Sequence, residues 1–254
     1  MQNLIGISGR IGSGKDTLAS IIQYLVYRNK KYTYPYTQFI SESEIYKVDR
    51  SKWEVKKFAA KLKQIVCLLT GCTMEDLESQ EFKARELPPE WNGMTYRTML
   101  QKVGTEAMRG QLHDQVWVNS LFADYKNPHE RNHTEEEKEE VRRRIGNVVV
   151  NFSSKLELTY PKWIISDMRF PNEMEAVKSR GGVTIRINRP KPKVSTGDAI
   201  IDNVLNETKN FGIVEHPSET ALDNAEFDYV IDNDGTIGDL IGKVEVILRE
   251  LEII

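Results

Sequence analysis

Short apolar runs alternate along the chain with stretches in which apolar residues recur every three or four positions. Leu4, Ile5 and Ile7 make a β-rich run, and from Lys15 to about Arg28 the residues Leu18, Ile21, Ile22 and Leu25 share one face of a helix. Trp53, Val55 and Phe58 predict a second strand. It runs into a helix carrying Ala59, Leu62, Ile65, Val66 and Leu69 that ends at Gly71, a residue suited to the left-handed cap conformation. Trp163, Ile164 and Ile165 predict a strand ending in Ser166 and Asp167, followed by a helix from Asn172 to Arg180 closed by Gly181 and Gly182. Val183, Ile185 and Ile187 alternate as a further strand. Phe227, Tyr229, Val230 and Ile231 give the last strand, before an amphipathic helix from Ile237 to Leu251. Strands alternating with helices predict an α/β protein whose central, mostly parallel sheet is covered on both faces, a three-layer arrangement.

The segments between these units read differently. KYTYPYTQF, with Pro35 inside it, fits a loop better than an element. Thr73 with Asp76, and Thr95 after the breaker run LPPEWNG, look like helix starts, so two or three helices are expected over 73–126. Residues 127–161 form a charged insertion in which Glu139 with Arg143 and Glu140 with Arg144 stand at helical spacing, a pattern of a solvated face. Within it NVVVNF and KLELTY read as a hairpin. A polar, Pro-rich connection spans 189–221, and no repeat with a period of about 20–50 residues is visible.

A chain of 254 residues buries roughly 70–75% of its unfolded surface and supports one large domain. The balance of 35 basic and 38 acidic side chains, net −3, offers no global field for nucleic acid, so an anionic ligand must be held by a local cluster. No apolar run reaches membrane-span length. The opening MQNLIGISGR has no export pattern, so a cytoplasmic location is expected. Cys67 and Cys72, five apart in a helical segment, suit neither a structural disulfide nor a metal site needing four ligands. His113, His129, His133 and His216 show no zinc spacing.

The chemistry concentrates between the first strand and the first helix. Gly9-Arg10-Ile11-Gly12-Ser13-Gly14-Lys15-Asp16-Thr17 matches GxxxxGK in the strand-turn-helix setting that the motif requires. Glycines let successive backbone N–H groups curl around phosphate oxygens, the helix start adds its dipole, and Lys15 reaches the β- and γ-phosphates. After the lysine, where a Ser or Thr hydroxyl normally touches Mg²⁺, stands Asp16. Either Thr17 coordinates from one position later or Asp16 holds the ion through water. Asp167, ending its strand, is the candidate second metal-orienting carboxylate, and its alternative role is a turn or cap residue. Arg169 is the first choice for a phosphate clamp, because ligands of open α/β sheets collect at the carboxyl ends of strands; Glu173 would orient it by an ion pair or accept from a base edge.

Several stretches together carry a resemblance. GISGRIGSGKDT, FAAKLKQIVCLLTG, LQKVGTEAMRGQLHDQVWV, ISDMRFPNEMEAVKSRGGVTIRINRP, HPSE and FDYVIDNDGTIGDL resemble the deoxynucleoside monophosphate kinases of tailed bacteriophages, a branch of the P-loop nucleotide kinases. They cover most of the chain except 127–161. The glycine loop is shared by many families, whereas GKDT, GTE-x-x-R and DMRFPNE in this order are more specific. The resemblance implies a single P-loop kinase domain over 1–254, with a helical acceptor-binding region over 59–126 and a lid over 189–221 bearing Arg189, Lys191 and Lys193. It also implies ATP-dependent, Mg²⁺-assisted conversion of deoxynucleoside monophosphates to diphosphates for phage DNA precursors, in the host cytoplasm. The partners would then be small-molecule substrates, with neither nucleic acid nor membrane, and a homodimer is admitted although no pattern places its interface. Acceptor contacts pass by resemblance to Lys61, which opens its helix together with Lys63, and to Arg109. Trp117 is the candidate stacking plate for a base, while Tyr96 reads first as core. The Asn233-Asp234-Gly235 turn falls where related kinases line the donor adenine.

Two other readings share these features. GRIGSGK with a terminal strand-Asn-helix pattern also occurs in dephospho-coenzyme-A kinases and other small-metabolite kinases, where a hydroxyl acceptor would call for a carboxylate base and Asp16 would be the suspect. A nucleotide-binding switch module would use the loop to gate a partner, and it would need neither a cationic lid nor an acceptor pocket.

Overall fold

The structure is a computed structural model that describes residues 2–30, 35–46, 52–131, 134–145, 155–190 and 217–254. In chain order, β1 (Leu4–Ser8) leads through the glycine turn into α1 (Lys15–Lys30), then α2 (Tyr36–Tyr46), β2 (Trp53–Lys56) and α3 (Ala60–Thr70). A helical block follows: a 3₁₀ turn at Asp76–Glu78, α4 (Gln80–Ala84), a second 3₁₀ turn at Pro89–Trp91, α5 (Tyr96–Gln101), a π-helix at Lys102–Leu112 and α6 (Val116–Phe122). Then come β3 (Asn127–Arg131), α7 (Glu135–Ile145), β4 (Lys155–Thr159), β5 (Lys162–Met168), α8 (Pro171–Lys178) and β6 (Val183–Asn188). The chain closes with the short α9 (Pro217–Thr220), β7 (Tyr229–Asp232) and α10 (Ile237–Glu250).

The main sheet has the order β2-β5-β1-β6-β7, and every neighbouring pair is parallel. This is the expected α/β three-layer arrangement. The period of two in each strand divides the core: Ile5, Ile7 and Ile164 pack with α1 and α10, while Leu4, Trp163 and Ile165 pack with α6 and α8 on the other face. Leu18, Ile21, Ile22 and Leu25 of α1 are completely buried, as their shared face requires. A third apolar cluster, around Val66, Leu77, Leu87 and Met99, stabilises the helical block on its own. Because all five strands run the same way, their carboxyl ends open onto one rim, where β1, β2 and β5 deliver the glycine loop, Lys57 and Asp167 side by side.

Helix boundaries follow local chemistry. Gly71 takes φ +75° after α3, with its N–H on Cys67 O. Thr95 and Thr236 cap α5 and α10 through their side chains.

Two segments depart from expectation. Pro35 starts a helix instead of filling a loop: Gln38 N–H and Phe39 N–H both donate to Pro35 O, and the fixed φ of proline suits a first turn. β4 pairs antiparallel with β3, from Asn127↔Thr159 to Arg131↔Lys155, with α7 between them in the chain, so KLELT has NPHER as a partner; NVVVNF, the other half of the expected hairpin, lies outside the described residues. In α7, Glu140 pairs with Arg144 as spaced, whereas Glu139 pairs with Arg142 and not Arg143. The block over 73–126 holds three α-helices, α4, α5 and α6, within the expected number, together with two 3₁₀ turns and a π-helix that continues α5.

Candidate functional site

The glycine turn holds its shape through the backbone. Gly9 cannot be another residue: a Cβ there would lie 2.4 Å from Ile187 O and 2.5 Å from Ser13 Oγ. Gly14 sits at φ +101°, against Asn233 Nδ2, which donates to Ser13 O at 3.0 Å. Asn233 therefore buttresses the loop from behind, and it does not line the cleft. Ser13 Oγ is buried inside the turn without a hydrogen-bond partner, an orphaned polar atom in a curl of backbone N–H groups. Lys15 Nζ donates back across the loop to Gly9 O at 2.8 Å and Arg10 O at 2.9 Å. Burial, reinforced by the Arg169 guanidinium, pushes the Lys15 ammonium down to about 8, against the opposing pull of Glu219, Asp16 and Asp167.

In front of the loop lies a cleft of ≈ 660 Å³ that continues along the helical block. Gly12, Gly14, Lys15, Asp16 and Thr17 form its loop end, with Asp167, Arg169 and Glu173 beside them. Ser166 Oγ donates to Asp16 Oδ1 at 3.0 Å, and Lys57 Nζ lies 3.2 Å from the same oxygen. Burial opposes the charge on Asp16, but the Lys57 ammonium, with help from Ser166 and Lys15, holds its carboxyl below the usual range. Among the described residues no group of three or more His, Cys, Asp or Glu side chains gathers as a metal cage. Mg²⁺ needs no such cage, since it keeps several waters and takes one or two carboxylates.

Asp167 is tied to the backbone. Its Oδ1 accepts the N–H of Phe58 at 2.7 Å and its Oδ2 that of Ala59 at 3.0 Å, which ties the start of α3 to the end of β5. Its carboxyl is pushed up by burial, against these two N–H groups and the charges of Arg169 and Lys57.

Glu173 does not orient Arg169 by an ion pair. It is 2% exposed, and its Oε1 receives Arg109 Nη2 at 2.8 Å while its Oε2 receives the backbone N–H of Arg169 at 2.7 Å and of Phe170 at 3.1 Å. Burial raises its carboxyl to about 7 against these donors. The Arg169 guanidinium pairs instead with Glu219. Arg109, on the π-helix, is also held by Asn172 Oδ1 at 3.1 Å and lies 3.9 Å over the Phe170 ring.

Lys61, the acceptor contact implied by resemblance, faces elsewhere: its Nζ donates to Ser120 O at 2.7 Å and it lines an adjoining hollow of ≈ 340 Å³ that shares Lys57, Phe58, Lys63 and Glu78 with the cleft. A helix turns about 100° per residue, so one lysine of an adjacent set points away. The cations that do line the cleft are Lys57 and Lys63, together with Lys83 of α4 and Arg97 of α5, which the sequence pattern does not single out. Lys63 is paired with Glu78 at 2.6 Å, and Arg97 with Gln80 Oε1 at 3.0 Å. Burial lowers the Lys83 ammonium, and the nearby charges of Lys63 and Arg97 lower it further, so this wall holds crowded positive charge. In the sequence these cations are single basic residues scattered over several short elements, which periodicity alone does not distinguish from a solvated face.

Trp117 lines the cleft but is 6% exposed, with its indole N–H given to Gly104 O at 2.9 Å. Tyr96 packs on Phe82 in the third core cluster, as a core aromatic should. Arg10 is turned to Asp223 at 2.6 Å. Arg189 reaches the cleft, while Lys191, Lys193 and His216 lie outside the described residues.

No protein-family model matches the chain. Over 256 aligned residues, 95% of this chain and 93% of the relative, it is 26% identical to a protein of Acanthamoeba polyphaga mimivirus named "Putative deoxynucleotide monophosphate kinase". The relative is not from a bacteriophage, so it lends nothing to a phage origin. No helix among the described residues is long and apolar enough to cross a membrane.

Proposed function

We propose that the chain is an ATP-dependent kinase that converts deoxynucleoside 5'-monophosphates to diphosphates. The observation that carries this reading is one continuous cleft with a phosphate-type glycine loop at one end and a wall of cations, Lys63, Lys83 and Arg97, at the other. Similarity along nearly the whole chain to a protein named for this activity supports the acceptor class.

The loop fits a polyphosphate. Its positive-φ glycines and the unpartnered Ser13 Oγ make a cradle of donors that protein groups only partly satisfy. Lys15 and Arg169 supply positive charge to the phosphoryl group in flight. Asp16 and Thr17 are the residues that would hold Mg²⁺, with Asp16 fixed by Ser166 and Lys57. When bound, the metal ion neutralises charge on the donor phosphates. Asp167 acts through α3, keeping Lys63 on the cleft wall. The acceptor is a phosphate whose oxygens are already anionic, so no general base is required, and the work of the wall is to bring two negative groups together in line. Arg109, locked by Glu173 and Phe170, gives that wall a fixed point.

The test is a panel assay with purified protein, Mg²⁺-ATP and each common deoxy- and ribonucleoside monophosphate, plus dephospho-coenzyme A, reading ADP and acceptor product together. Diphosphate from deoxynucleotides is the expected result. ADP released at one slow rate with every acceptor, or with none, refutes it.

A further inference from the structure

A carboxylate sits where the glycine loop would meet an anion. The backbone N–H of Ile11 donates to Glu219 Oε2 at 3.0 Å, and Arg169 Nη1 donates to Glu219 Oε1. Both oxygens of one side chain are thus held by a loop amide and a guanidinium, the two kinds of donor that grip phosphate. The contact is built and not incidental. Asp223, in the same segment, receives Arg10 at 2.6 Å and Arg186 at 2.8 Å, and Leu222 between them is 3% exposed in the core. Glu219 lines the cleft, with its side chain only 21% exposed.

We propose that Glu219 is an internal competitor for phosphate, which an incoming anion must displace from Ile11 and Arg169. The inference rests on the reading of residues 9–17 as the donor-phosphate loop. Two anions cannot share one guanidinium and one amide at contact distance without strong repulsion. The observed affinity for phosphate is therefore the intrinsic affinity reduced by the fraction of molecules in which the carboxylate has left. Glu219 belongs to the HPSE stretch, for which the sequence offered no role.

Glu219→Gln keeps the length of the side chain and an oxygen for Ile11 N–H but removes the charge. Titration calorimetry with inorganic pyrophosphate, and separately with Mg²⁺-ATP, compares it with the wild-type chain. About tenfold tighter pyrophosphate binding by the variant is expected, with the gap shrinking as salt is raised. Glu219→Asp, which keeps the charge on a shorter arm, should fall between the two and serves if the glutamine variant folds poorly. Equal or weaker pyrophosphate binding by the variants, or no binding by any of them, overturns the proposal. So does a fall in kcat with unchanged anion affinity, the signature of a residue that merely holds Arg169 in place. Product formation judges the kinase reading independently: tighter pyrophosphate binding without diphosphate from any acceptor upholds the competitor and refutes the kinase.

Discussion

The two ends of the cleft are built in opposite ways. The glycine loop is nine consecutive residues whose donors are mostly backbone, braced by Ile187 of β6 and by Asn233 just past the end of β7. The far wall takes Lys63, Lys83, Arg97 and Arg109 from separate elements, and its donors are side chains. Backbone recognition is fixed by chain geometry and tolerates little change. A wall of side chains can be altered one charge at a time, so under the proposed kinase reading it is the end at which acceptor preference can be tuned without loss of the donor site.

Substitutions break this comparison most directly. Lys15→Ala should lower turnover by at least about a hundredfold with the melting temperature nearly unchanged, because it removes charge from the transferring group; turnover within a few-fold of wild type would contradict the assignment. Next in size is a pH effect. Lys15 is already lowered to about 8, and in the proposed reading its charged form binds the donor, so kcat/KM for ATP should fall by about tenfold between pH 7 and pH 9. A flat profile there would separate Lys15 from donor binding. At the far wall, Arg97→Ala should raise KM for the monophosphate by roughly five- to tenfold and leave KM for ATP alone, whereas Lys61→Ala should change neither. The reverse pattern would move the acceptor to the hollow beside Ser120.

The last effect, on stability, concerns the brace between the two ends. With Glu173 raised to about 7, the folded chain binds more protons than the unfolded chain between roughly pH 4.5 and 7, so stability falls as pH rises through that interval. Urea midpoints at pH 5 and pH 7.5 should show a loss of about 2 kcal/mol in the wild type that is absent from Glu173→Gln. Equal slopes in both proteins would mean that Arg109 keeps Glu173 ionised throughout.

Local rules wrote much of this molecule into its sequence. Period-two strands, the α1 stripe, Gly71, Thr95 and the GxxxxGK turn are decided by residues within a few positions of one another, so the parallel sheet and the loop end of the cleft are legible in the order of residues alone. What three-dimensional packing alone decided is which charges face each other. Asp167 became a cap because β5 ends beside the start of α3, and Lys61 turned away while Lys63 turned in because α3 is rolled by the packing of Leu62 on Gly104 and of Val66 among Leu77, Leu87 and Met99. Arg169 met Glu219, fifty residues downstream, and Arg109 met Glu173, sixty-four residues apart, through partners that no local spacing could announce. Backbone conformation is set over a single turn, whereas ion pairs form between whatever surfaces the buried apolar faces bring together.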